Sequence, residues 1–165
     1  MRRSLSSLFI TGALLGSAWL STAQAAPPPD TTRVAPLLDQ GRYAEAAKVY
    51  ADLYEAKGSN DTLFNAAFYY GRARQPEKAM PFAKAYLEKV ACQSPAQLTP
   101  RQVRHCALSA EMLGHLEQAL ALFEGYQKRA KVWAHRSRAE DDIHRVQLKM
   151  KVKALEAELA ALKGK

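Results

Sequence analysis

From Thr32 onward, apolar residues recur three and four positions apart, and no stretch alternates apolar and polar residues over the length of a strand. Alanine and leucine are abundant while valine and isoleucine are sparse, a balance that favours helix over sheet. The pattern predicts an all-α protein. Thr32 can cap a short helix whose first turn tolerates Pro36 and which ends at Gly41. Before it, APPPD (26–30) cannot enter a helix interior and reads as part of a proline-rich leader over 26–31.

A unit repeats inside the helical region. Gly41-Arg42-Tyr43-Ala44-Glu45-Ala46-Ala47 is followed by Tyr50 and Leu53, and Gly114-His115-Leu116-Glu117-Gln118-Ala119-Leu120 by Phe123 and Tyr126. Between them stands Gln75-Pro76-Glu77-Lys78-Ala79-Met80, followed by Ala83 and Tyr86. The alanines are 33 and 40 residues apart, the excess matching an insertion over 92–100 (CQSPAQLTP). Two antiparallel helices approach closely only where a small side chain sits between their backbones, which assigns that place to Ala46, Ala79 and Ala119. Gly41 and Gly114 suit the left-handed cap after a first helix. Tyr43 and Leu116 are then placed to plug the turn, and Tyr50 and Phe123 to fill the seam with the next hairpin.

With these spacings the chain resembles the tetratricopeptide repeat family. GRYAEAAKVY and GHLEQALALF look like its second-helix signature, and TLFNAAFYYGRA resembles a first helix, with Asn65, Ala67 and Tyr70 on the small-then-aromatic pattern. The resemblance covers 32–130 and implies two and a half to three hairpins stacked as an α-solenoid. Arg74 stands where glycine is usual, Pro76 where an aromatic is usual, and Cys106 and Ala107 replace a leucine and a small residue.

Residues 131–165 follow as one long helix or two joined ones, since no glycine or proline interrupts 131–162. Trp133, Ile143 and Val146 can pack on the last hairpin as a cap. Leu148, Val152, Leu155, Leu159 and Leu162, alternating four and three apart, form a coiled-coil-like seam of barely more than two heptads. That seam serves either a fold back onto the repeats or self-association.

Residues 1–25 read as a signal peptide: Arg2 and Arg3, the uncharged stretch LSSLFITGALLGSAWL, then Ala23-Gln24-Ala25, with cleavage expected after Ala25. The apolar run is shorter than the ~20 residues of a membrane anchor and is diluted by serine, threonine and glycine. Export, with the periplasm as the expected destination, places Cys92 and Cys106 in an oxidising compartment. There they are expected to form a structural disulfide, worth about 3 kcal/mol through the unfolded state.

Charge changes the picture only when it is divided. The net charge is +8. Over 26–125 there are 11 basic and 11 acidic residues, whereas from Tyr126 there are 11 against 5. The basicity thus belongs to the terminal segment, including Arg136, Arg138, Arg145, Lys149, Lys151 and Lys153. Such a helix could lie on an anionic membrane or cell wall, or it could simply be solvated. No nucleic-acid motif is present.

The chain offers no catalytic signature. His105, His115, His135 and His144 form no i,i+4 pair and no zinc-finger spacing with the cysteines, and there is no phosphate loop or nucleophile elbow. No enzyme activity, cofactor or metal is expected. The resemblance instead implies a groove lined by successive first helices, here Phe64, Asn65, Phe68, Arg72, Arg101, Arg104, His105 and Leu108. Phe64 and Phe68 read equally well as core. Asn65 and Arg101 match parts of the family's carboxylate clamp, with His105 where an arginine is usual; the first-hairpin parts are missing. The function expected is a non-catalytic envelope scaffold that binds a protein or peptide. The alternatives are a component self-assembling through the terminal helix and a peripheral binder of anionic surfaces.

Overall fold

The computed structural model describes residues 31–164. The expected signal segment and all but the last residue of the leader fall outside this range. Seven α-helices follow in order: α1 Val34–Asp39, α2 Tyr43–Lys57, α3 Asn60–Arg72, α4 Pro76–Lys89, α5 Pro100–Met112, α6 Leu116–Arg129 and α7 Trp133–Lys163. Short 3-10 turns at Thr31–Arg33 and Pro95–Gln97 complete the described residues, which contain no strand. Each helix packs on the next. None is long and apolar enough to cross a membrane.

The turns α1–α2, α3–α4 and α5–α6 share one design. In each, an amide reaches back five residues to close the helix: Arg42 to the Leu37 carbonyl, Gln75 to Tyr70, His115 to Ala110. This closure needs a left-handed residue just before the donor. Gly41 (φ 69°) and Gly114 (φ 76°) supply it without strain, and Arg74 (φ 57°) supplies it against its own Cβ. The long α4–α5 connection is anchored differently. The Cys92 and Cys106 sulfurs are at disulfide distance, 1.94 Å. Arg129 of α6 donates to the Pro95 and Leu98 carbonyls. Thr99 and Gln102 then form a reciprocal capping box, with Pro100 at the first helical position, and start α5.

Ala46, Ala79 and Ala119 are all buried, in α2, α4 and α6. Tyr50 stacks on Tyr69 across the α2–α3 seam, ring centroids 5.6 Å apart. The main core joins Leu63, Phe64, Tyr86, Val103, Cys106, Phe123 and Val146.

The terminal segment is a single helix. Ala139, Asp142 and Val146 are buried against the preceding helices, and Ile143 packs on the core. Trp133 departs from the expectation. It is 74% exposed because it opens α7 directly after the bend that follows α6, before the helix has settled on its neighbour. From Lys151 to Gly164 every residue is exposed, so the back half of α7 extends beyond the body instead of folding back on it.

Candidate functional site

α3, α5 and α7 lie side by side and enclose a groove of about 530 Å³. α3 and α5 come near each other at Gly71, where an added Cβ would stand 3.4 Å from the Met112 sulfur. Phe68, Leu108 and Met112 give the groove its apolar surface, and Arg72, Arg104, Arg145 and Lys149 bring positive charge to it. Arg72 rests on the Tyr43 ring, 4.6 Å from its centroid, and donates to the Tyr43 hydroxyl at 3.3 Å.

One wall of the groove is an ion network between α5 and α7. Glu111, buried, accepts from Arg145 Nε at 2.9 Å, Arg145 Nη2 at 2.7 Å and Lys149 Nζ at 2.8 Å. Asp142, also buried, accepts from Arg104 Nε at 3.1 Å and Arg145 Nη1 at 2.5 Å. Burial alone would raise the Glu111 pKa; the hydrogen bonds from Arg145 and Lys149 outweigh it and hold the carboxyl below its ordinary value. The same bonds raise the already high pKa of Arg145. Glu111 is thereby kept charged in a place where an unpaired charge would be costly.

Arg104 also lines a second cleft, of about 310 Å³, between α5 and the start of α7. Its lining holds Arg101, Arg104 and Arg138 with His105, Tyr126 and His135, and no carboxylate. Arg101 reaches Asp61 only at 3.6 Å, with both groups exposed. Arg138 makes no ion pair among the described residues. His135 Nδ1 lies 2.9 Å from the Tyr126 hydroxyl.

Of the groove residues expected from the sequence, Phe68, Arg72, Arg104 and Leu108 line the groove and Arg101 and His105 the cleft. His105 and Leu108 are not the exposed contacts foreseen, and Phe64 takes the core place that was its alternative. Phe64, His105 and Leu108 are 4%, 8% and 8% exposed. Phe64 and His105 stack face to face with centroids 3.7 Å apart, and Tyr86 closes on the same pair. They form the floor under the surface because a short array has no other core between α3, α4 and α5. Burial, with Arg101 as the next cause, lowers the His105 pKa to about 4 and leaves the ring neutral at pH 7. Asn65 is half-buried and lines neither cavity.

The basic helix is also reassigned. Arg145 and Lys149 are consumed by Glu111 and Asp142 and are not free for an external surface. Arg136, Arg138, Lys151 and Lys153 are exposed, yet the turn of about 100° per residue spreads them around α7 instead of along one face. The residues the sequence reading missed are Glu111, Met112 and Asp142. Only the i,i+3 pair Asp142–Arg145 carried a local signal. Among the described residues no group of three or more His, Cys, Asp or Glu side chains could hold a metal ion.

No protein-family profile matches the chain. No curated protein matches it either.

Proposed function

We propose that this protein is an exported, tetratricopeptide-like interaction scaffold, without catalytic activity, that binds a segment of another envelope protein in the α3–α5–α7 groove. The observation that carries the reading is that two cavities share Arg104 as a wall. A groove with the apolar side chains of Phe68, Leu108 and Met112 adjoins a cleft lined by three guanidinium groups and no acid. Apolar side chains of a bound segment would bury in the first, and an acidic side chain or terminal carboxylate would pair with Arg101 and Arg138 in the second. Arg104 is held by Asp142, so it shapes the junction more than it offers free charge.

Fluorescence-polarisation titration of acidic and neutral peptide libraries against the full chain tests this. Acidic peptides are expected to bind, and Arg101→Glu/Arg138→Glu to weaken them at least about tenfold, the cost of losing one to two charged hydrogen bonds. Equal binding to wild type and variant would remove the groove and cleft as the site. Crosslinking in the envelope with the same pair of proteins then identifies the partner.

A further inference from the structure

α7 changes its apolar face where it leaves the body. Up to Val146 the inward residues are Ala139, Asp142 and Val146. At about 100° per residue, the mean direction of Leu148, Val152, Leu155, Leu159 and Leu162 lies about 20° from diametrically opposite Val146. These five are 47–68% exposed and are the largest apolar side chains of the extension. A helix meant only to pack on its own repeats would keep one apolar face. Here the inward direction is continued instead by Lys153, Ala157 and Ala160, all exposed, which the body does not reach.

We propose that this outward stripe is the seam of a parallel two-stranded coiled coil with a second copy of the chain. The heptad register places Leu148, Leu155 and Leu162 at d and Val152 and Leu159 at a. Val152, one of the two a residues, is β-branched and all three d residues are leucine, a combination that suits two parallel strands; Leu159, the other a residue, adds apolar area without that preference. The flanking charges select the same arrangement. In a parallel pair each g side chain faces the e side chain five residues further on in the partner helix. Lys151 then meets Glu156 and Glu158 meets Lys163, twice each by symmetry. An antiparallel pair with matched charges slides to four apolar layers. It also sets Leu162 against Arg145, and it calls on Lys149, which Glu111 already holds. The bodies do not obstruct the parallel pair, because each lies on the side of α7 away from the seam. A seam this short is weak in isolated peptides. Here the docked front half has already nucleated the helix, which removes most of the ordering cost. A lipid surface is the less suitable occupant, since Ala154 to Lys163 carries two acids and one base.

Sedimentation velocity of the purified full chain over a concentration series is expected to give twice the monomer mass at high concentration. Leu155→Lys/Leu159→Lys, both at exposed positions, is expected to give a monomer with unchanged circular dichroism and melting temperature. Lys151→Glu should raise the dimer dissociation constant about tenfold by turning two attractions into repulsions, and adding Glu156→Lys should restore it. Leu162→Cys should crosslink to itself under mild oxidation. A monomer at every concentration overturns the proposal. So does a dimer insensitive to the paired leucine change, or one that the Glu156→Lys addition weakens further, which indicates antiparallel strands. Monomers that bind anionic vesicles through the same leucines overturn it too.

Discussion

Arg74 occupies a backbone conformation that its two counterparts assign to glycine. Left-handed backbone costs an ordinary residue roughly 1–2 kcal/mol, part of which glycine gives back through its freer unfolded chain. Arg74 is exposed and its backbone amides already close the turn. Arg74→Gly is therefore expected to stabilise the fold by about 0.5–1 kcal/mol, read as a higher urea midpoint at unchanged slope. His105 behaves differently, since its cost appears only on protonation. Its folded pKa, about 4, lies below the ordinary 6.5. Stability is therefore complete above about pH 6.5 and falls as pH drops toward 4, by a total on the order of 3 kcal/mol. His105→Phe, which keeps a ring against Phe64, should flatten that slope in denaturant titrations between pH 7 and 4. Glu111 adds its loss lower down, below the ordinary carboxylate range, because its folded pKa is depressed. The special place of Arg74 was legible from the repeat, where glycine was expected. The burial of His105 was not, because the repeat resemblance set it in the exposed groove.

At the scale of elements, α7 is held by two devices of different origin. Its apolar contacts, Val146 and Ala139, follow helical spacing and could be foreseen. Its ionic contacts join residues 34 to 38 apart, Arg145 and Lys149 to Glu111 and Arg104 to Asp142, and no local rule connects them. Glu111→Gln leaves Lys149 without a charged acceptor and Arg145 with Asp142 alone. Both cations are partly exposed, so the expected cost is about 2 kcal/mol, below that of a fully buried pair. Hydrogen exchange should report it first as faster exchange in the front half of α7, with α2–α4 unaffected. Slowed or unchanged exchange in α7 would show that apolar packing alone docks the helix. The α4–α5 connection was half legible. Its length and its cysteine pair stood out in the sequence, whereas the clasp of Arg129 on the Pro95 and Leu98 carbonyls did not.

Across the whole molecule, α7 separates the two surfaces proposed for interaction. The groove uses its inward and flanking side through Asp142, Arg145 and Lys149, and the seam uses the opposite side. The two should therefore vary independently. Leu155→Lys/Leu159→Lys is expected to leave the affinity of a monovalent peptide within about twofold of wild type, as for distant sites without shared partners. Arg101→Glu/Arg138→Glu should leave the sedimentation behaviour unchanged. Paired through the seam, two chains would present two grooves on the outside of one rod, a geometry suited to a partner with repeated segments.

Helical periodicity, the turn positions, the small residues at helix crossings and the cysteine pair were all readable from the chain alone, because each depends on residues within a turn or two or on one short loop. The heptad stripe was equally visible, but not its direction. Which face of α7 meets the body, which carboxylates receive its cations and whether Phe64 and His105 reach solvent were settled by packing between segments tens of residues apart. Burial and long-range pairing are properties of the assembled helices: a side chain's neighbours across a groove come from another element, and its own local sequence cannot name them.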